Sequence, residues 1–203
     1  PDYLPGHAHA DTLSFELSLH GQRTLVNGGT ATYEPGPERL RQRGTAAHNT
    51  VTVDGQDSSE VWSSFRVARR ARPLDVAWGV DATGALWLAA AHDGYRRLPG
   101  HVTHRRRWEM DAKRLHVTDI LEGRFADAQA SFRFGPGAQL CPESNGAGEV
   151  VTDAWLMRWQ VRGHRTLEAA PGSWHPRFGA SEPCRMLVLS FSGATLETDF
   201  CWS

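Results

Sequence analysis

Apolar and polar residues alternate with a period of two along much of this chain. The clearest run, Leu13, Phe15, Leu17 and Leu19, places four apolar side chains on one face of an extended segment and predicts a β-strand over residues 13–19. Similar runs, separated by turn-forming Gly, Pro, Asn and Asp residues, predict strands at 24–26, 50–53, 74–80, 85–91, 105–110, 115–121, 130–134, 149–152, 155–161, 166–169, 186–191 and 195–200.

No segment has an apolar stripe with the 3.6-residue period over the length of a typical helix. Many short strands at close spacing are typical of two packed antiparallel sheets. We therefore predict an all-β fold, a large antiparallel β-sandwich with little helix. The chain contains no internal repeat and no low-complexity linker, so we expect a single domain over residues 1–203.

Composition excludes some classes of function. The 203 residues are 40% hydrophobic and 22% charged, as in ordinary globular proteins, and the net charge of −1 gives no basic footprint for nucleic acid. No apolar run approaches the roughly 18 residues that a membrane-spanning helix needs. Three widely spaced cysteines predict free thiols, although a Cys184–Cys201 disulfide stays open. The chain begins at Pro1 instead of Met, so we expect the natural amino terminus to lie upstream.

Three polar side chains precede the first apolar run. His7, His9 and Asp11 have the same parity as that run, so a strand reaching back to His7 would place two imidazoles and a carboxylate on its apolar face. Such groups need partners, which a metal ion or an anionic substrate would supply. The alternative is a loop with ordinary structural histidines, and the spacing alone leaves both open.

A second notable stretch covers residues 39–49. Arginines alternate at 39, 41 and 43, and a His-Asn pair opens the next predicted strand. Guanidinium groups bind carboxylates in a bidentate manner, so the run is a candidate for recognition of an acidic ligand. The alternative is a solvated loop. Another basic run, at 105–107, opens a predicted strand, and we interpret it as mostly surface.

Several motifs occur in an order that is specific to one family. They are Gly-His-Ala-His-Ala-Asp at 6–11, Asn-Gly-Gly-Thr at 27–30, Arg-Gly-Thr-Ala-Ala-His-Asn at 43–49, Asp-Gly at 54–55, Glu-Val-Trp at 60–62 and His-Asp-Gly-Tyr at 92–95. In this order they resemble the C-terminal module of the heparinase II/III-like polysaccharide lyases. The resemblance covers most of the chain and is strongest over residues 3–70.

The resemblance implies β-elimination on a polysaccharide that contains uronic acids. Members of the family place the active site between an N-terminal (α/α) toroid and the β-sandwich, and this sequence contains no toroid. We therefore expect the chain to be a module of a longer lyase of the bacterial cell envelope, in the periplasm, and to be inactive alone. The alternative is a non-catalytic β-sandwich that binds carbohydrate or has a structural role in polysaccharide assembly.

The resemblance also implies site residues. It assigns the catalytic histidine of the sandwich to His7 and a zinc site to His9, Asn27 and His48. Asn27 departs from the aspartate of the family, and an uncharged amide oxygen binds zinc more weakly than a carboxylate does. Asp11 is a candidate substitute. His48 has the wrong parity to point inward from a regular strand, so an irregular strand start is expected.

Candidate substrate contacts complete the set. Arg41 and Arg43 are expected to bind the acidic groups of the polymer, and Tyr95 is expected to stack on a sugar ring. Trp62 and Trp174 lie in turn-rich segments and are further candidates for stacking.

Overall fold

The structure, a computed structural model, describes residues 5–203, and its regular secondary structure consists mainly of strands. One α-helix, α1, covers Pro37–Arg43, and short 3-10 turns cover Thr45–Ala47, Gly94–Arg97 and Ser144–Gly146. The strands in chain order are β1 Leu17–Leu19, β2 Gln22–Leu25, β3 Val51–Val53, β4 Val61–Trp62, β5 Arg66–Val67, β6 Pro73–Val80, β7 Leu86–His92, β8 Thr103–Met110, β9 Arg114–Glu122, β10 Ala128–Arg133, β11 Gln139–Pro142, β12 Ala147–Val151, β13 Leu156–Arg162, β14 Thr166–Trp174, β15 Glu182–Phe191 and β16 Thr195–Trp202.

Two antiparallel sheets enclose one apolar core. The larger has eight strands in the order β11-β12-β13-β16-β9-β8-β7-β6, and the smaller has four in the order β14-β15-β10-β3. Phe132 of the small sheet meets Phe200 of the large sheet with ring centroids 5.1 Å apart, and both are fully buried. The predicted all-β sandwich with little helix is confirmed. The prediction succeeds because the strand period of two fixes which side chains point inward.

The structure departs from the predicted elements near the amino terminus. The strand predicted at 13–19 is only Leu17–Leu19, since Leu13 has a φ of 64°, which ends an extended segment. Helix α1 was not predicted. Its sequence signals are Pro37 at the first turn and basic residues in the last turn. Apolar periodicity missed it because its buried face consists of Arg39, Gln42 and Arg43.

A buried chain of polar groups crosses the large sheet. The Gly94 N–H donates to His92 Nδ1 (3.1 Å), His92 Nε2 lies 3.1 Å from His104 Nδ1, and His104 Nε2 lies 2.6 Å from Asp119 Oδ1. The Gly94 donor and the Asp119 acceptor fix the direction of every bond. Each neutral imidazole therefore donates one hydrogen bond and accepts one. An added proton would turn an accepting nitrogen into a donor that faces another N–H donor. Arg106 completes the chain with two hydrogen bonds to Asp119, of 2.7 and 2.9 Å.

Arg106 connects this polar network to the loops that carry the histidine motifs. Its guanidinium also donates to the carbonyl oxygens of Leu13 (3.0 Å) and Asn49 (2.5 Å). The surface position expected for the basic run at 105–107 is wrong for Arg106, which is 1% exposed. It faces inward because strand alternation separates it from Arg105 and Arg107, and Asp119 supplies the opposite charge.

Two further properties follow from the described part of the chain. Within residues 5–203, no helix has the length and apolar character required to cross a membrane. Cys141, Cys184 and Cys201 are free thiols.

The buried histidines predict that acid destabilises the fold. Burial lowers the pKa of His92 and His104 below the usual 6.5. The unfolded chain then binds more protons than the folded chain, so stability present above pH 6.5 is lost as the pH falls. Between pH 7.5 and pH 5, urea titrations should show the free energy of unfolding falling as the pH falls, because these histidines gain protons more readily in the unfolded chain.

A matched pair of variants separates this effect from general acid sensitivity. His92→Gln should flatten the pH dependence of the unfolding free energy, whatever its effect on stability at pH 7.5. His20→Asn changes an exposed histidine with a φ of 51°, a conformation that asparagine tolerates, and should keep the wild-type slope. Equal slopes for His92→Gln and wild type would contradict the prediction.

Candidate functional site

The Gly-His-Ala-His-Ala-Asp segment is a loop, and the strand does not reach back to it. Residues 6–7 form a turn, and the first extended pairing begins at Leu17. The common face expected for His7, His9 and Asp11 is therefore not formed. His7 is exposed, while His9 is partly buried and turned toward other elements.

His9 and His48 converge across the loop. His9 Nδ1 lies 3.3 Å from His48 Nε2, although 39 residues separate them in sequence. His48 follows the 3-10 turn at Thr45–Ala47 and precedes β3, which is the irregular strand start that its parity requires. Burial lowers the pKa of His48 to about 3, and burial followed by the charge of Arg39 lowers the pKa of His9 to about 4. Both imidazoles are therefore neutral at neutral pH.

Arg39 determines which nitrogens carry protons. Its Nη1 lies 3.3 Å from His9 Nε2 and 3.4 Å from Thr30 Oγ1, and its Nε donates to the Ser64 carbonyl (3.1 Å). A guanidinium only donates, so His9 accepts at Nε2 and donates from Nδ1 to His48. The proton of neutral His48 then sits on Nδ1, a buried atom that has no partner among the described residues.

Arg43 fixes the loop between the two histidines. Its Nε and Nη2 donate to the Ala8 carbonyl (3.1 and 2.9 Å), and its Nη1 donates to the carbonyls of Trp62 and Ser63. The Ala10 N–H returns a bond of 2.8 Å to the Arg43 carbonyl. Arg43 is fully buried. It therefore holds the loop in place and does not have the exposed position that we expected for contact with a polymer.

The other two expected substrate contacts also have partners within the chain. Tyr95 is fully buried, and its hydroxyl donates to the Val51 carbonyl (2.6 Å), so its ring is part of the core and out of reach of a sugar. Arg41 is exposed and forms two hydrogen bonds with Glu38 (2.6 and 2.8 Å), which compete with an acidic ligand. These bonds lower the pKa of Glu38 to about 2.

Asn27 occupies a tight glycine turn. Its Oδ1 accepts the Gly29 N–H (3.0 Å). A Cβ at Gly28 would lie 2.6 Å from the Ala47 carbonyl oxygen, so only glycine allows this approach to the segment that carries His48. Asp11 is partly buried, and burial raises the pKa of its carboxyl.

The residues fit a zinc ion only in part. Two zinc–nitrogen bonds of about 2.0–2.1 Å at a tetrahedral angle place the nitrogens about 3.3 Å apart, which matches the His9–His48 separation. Within residues 5–203, however, no group of three His, Cys, Asp or Glu side chains is arranged to hold a metal. The outer nitrogen of His9 faces Arg39, where a metal-bound histidine favours an acceptor.

Aromatic rings surround His7. Its imidazole meets Tyr33 and Phe65 edge-on, with centroids 5.3 and 5.6 Å apart, and Tyr33 meets Phe178 at 4.8 Å. Arg39 lies beneath, with its Cζ 5.1 Å from the centroid of the Tyr33 ring. The sequence indicated Arg39 only as part of the basic run at 39–43. It did not indicate Phe65 and Phe178 as neighbours of His7, since their proximity depends on loops far apart in the chain.

Solved structures share this fold. The heparinase III BT4657 gene product matches with a TM-score of 0.77 and 16% identity over 97% of this chain and 30% of that chain. The heparan sulfate lyase HepC from Pedobacter heparinus matches with a TM-score of 0.75 and 18% identity over 97% of this chain and 31% of that chain. This chain thus spans about a third of their length.

The family assignment rests on a match between this sequence and a protein-family model. No curated protein matches this chain. The model described as "Heparinase II/III-like, C-terminal" matches residues 1–203, the whole chain. The chain therefore belongs to the heparinase II/III-like family and corresponds to its C-terminal region.

Proposed function

We propose that this chain is the C-terminal module of a lyase that cleaves a uronic-acid-containing polysaccharide by β-elimination. The observation that supports this most directly is the position of His7. It is exposed on a loop that Arg43 holds through the Ala8 carbonyl, and it packs edge-on against Tyr33, the ring that the buried guanidinium of Arg39 also contacts. An exposed imidazole near fixed positive charge suits an acidic substrate.

The proposed chemistry removes a proton from the carbon next to a uronate carboxylate. Neutralising that carboxylate stabilises the enolate-like intermediate, and this is the part that nearby positive charge favours. A base accepts the proton while an acid protonates the departing glycosidic oxygen. We assign to His7 the holding or transfer of a proton in this sequence, or opposition to the carboxylate as a cation.

The remaining groups would come from a second domain. In this proposal, an N-terminal toroid of the same polypeptide closes the cleft over His7 and supplies further acid–base groups. The proposed setting is the periplasm of the bacterial cell envelope, where such polymers are accessible.

The isolated 203 residues are expected to release no unsaturated product. Full-length protein and isolated chain should be compared on heparan sulfate, the polymer named for the Pedobacter heparinus relative, and on alginate. The ultraviolet absorbance of the unsaturated uronate reports elimination. Absorbance that rises only with the full-length protein supports the proposal. Equal activity of the isolated chain would contradict the shared cleft.

We also propose that zinc binds weakly at His9, His48 and Asn27. Asn27→Asp should raise zinc affinity at least about tenfold, because a carboxylate adds a charged ligand and still accepts the Gly29 N–H. Competition with a chromophoric chelator measures this affinity. His48→Ala in the Asn27→Asp background should remove the gain, and an unchanged affinity of Asn27→Asp would count against the site.

A further inference from the structure

Three exposed aromatic rings lie together beside His7. Tyr33 is 38% exposed, Phe65 45% and Phe178 62%, so much of each ring remains open to solvent. The centroids of Tyr33 and Phe65 are 5.2 Å apart, and those of Tyr33 and Phe178 are 4.8 Å apart. The loop that carries Phe178 is tied to the Tyr33 loop by a 2.9 Å bond from the Gly179 N–H to the Ala31 carbonyl. We call Tyr33, Phe65 and Phe178 the aromatic platform.

Buried arginine side chains place positive charge beneath the aromatic platform. Arg39 is 1% exposed, its Cζ lies 5.1 Å from the Tyr33 centroid and 6.0 Å from the Phe65 centroid, and its Nη2 is buried without a partner among residues 5–203. Arg43, also buried, donates only to carbonyl oxygens. Within the described chain, no carboxylate lies within 4.0 Å of either guanidinium. Among residues 5–203, these two buried positive charges are thus not neutralised by an ion pair.

These two features together point to one kind of ligand. Open ring faces bind the C–H faces of pyranose rings, and the two buried guanidinium groups, which are too buried to donate to a ligand, attract carboxylate or sulfate substituents through space. An apolar protein surface would satisfy the rings and leave the charges without a counterpart. An acidic sugar matches both the rings and the charges. Bound on the rings, it would lie next to the imidazole assigned to proton transfer.

We propose that the aromatic platform is a subsite that binds one acidic pyranose ring of the polymer, adjacent to the sugar on which His7 acts. This proposal rests on the proposed function and extends it, since it assigns substrate positioning to Tyr33, Phe65 and Phe178. These residues do not take part in bond cleavage. Their replacement should therefore affect affinity and KM, whereas replacement of His7 should affect kcat.

Binding is best measured in full-length protein that carries His7→Ala, so that the probe survives. The probe is a heparan sulfate octasaccharide, with affinity determined by titration calorimetry. In that background, Tyr33→Leu and Phe178→Leu keep apolar volume but remove the ring face, and each should weaken binding at least about fivefold. Trp78→Leu is the matched control, because Trp78 is an aromatic residue that is 77% exposed on the edge strand β6.

The outcomes separate the subsite from the proposed function. Weaker binding by both platform variants, with unchanged binding by Trp78→Leu and a raised KM in the active enzyme, supports the subsite. Unchanged affinity in an active enzyme overturns the subsite and leaves the proposed function intact. Lower thermal stability of the platform variants with unchanged affinity would assign the rings to a domain interface and also overturn it. Absence of elimination by the wild-type protein overturns the proposed function itself.

Discussion

Replacement of His7 by alanine in the full-length protein is expected to lower turnover by a factor of about 10²–10⁴ and leave the fold intact. The magnitude is that of removing one positioned acid–base group. The fold should survive because the His7 side chain is exposed and packs edge-on against Tyr33 and Phe65, while the loop is held through the Ala8 carbonyl and the Ala10 N–H. Turnover on the cleaved polymer and urea unfolding of the same preparation measure the two effects.

His20→Ala is the control for this variant. His20 is exposed in the hairpin between β1 and β2, with no part in the candidate site, and its replacement should leave turnover at the wild-type value. The unfolding free energy of His7→Ala should stay within about 0.5 kcal/mol of wild type, as for other surface changes. If His7→Ala keeps wild-type turnover, His7 has no role in catalysis.

The second large effect concerns stability. Asp119→Asn is expected to destabilise the fold by about 3–5 kcal/mol, because it leaves the guanidinium of Arg106 buried without its counter-ion. The side chains of Arg106, Asp119 and His104 are all fully buried, so solvent cannot replace the lost charge. Asparagine would also place its amide N–H donors against His104 and Arg106, which both donate to Asp119 in the wild-type chain. Chemical unfolding at pH 7.5 measures the change in free energy.

A surface ion pair supplies the control. Glu149 pairs with Arg158 at 2.8 Å in an exposed setting, and Glu149→Gln should leave the denaturation midpoint close to that of wild type. A midpoint for Asp119→Asn that equals the Glu149→Gln midpoint would show that the buried network contributes little to stability. Partial recovery in an Arg106→Met, Asp119→Leu double variant would confirm that the isolated charge, and not lost volume, causes the effect.

Strand periodicity predicted the sandwich because a period of two is visible wherever one face of a strand is buried. The run at 186–191 lies within β15, and the run at 155–161 overlaps β13 almost completely. Helix α1 escaped the same reasoning because it is seven residues long and buries arginines instead of an apolar stripe. Pro37 in its first turn is a local start signal, but it was not part of the prediction.

The candidate site was less accessible to sequence reasoning. The family motifs led to His9 and His48, and the structure brings their nitrogens together, but spacing alone could not connect residues 39 positions apart. The roles of Arg43 and Tyr95 depend on backbone carbonyls from distant loops, which no local pattern reveals. Buried arginines are the main surprise, since a basic run normally indicates solvent exposure.

The most direct test of the proposed lyase is the mass of the products released from heparan sulfate by the full-length protein. Elimination leaves a new unsaturated end that is lighter by one water than the corresponding hydrolysis product. We expect products of the lighter mass, formed by the wild-type protein and almost lost in His7→Ala. Products that carry the added water, or unsaturated products formed equally well without His7, would contradict the account.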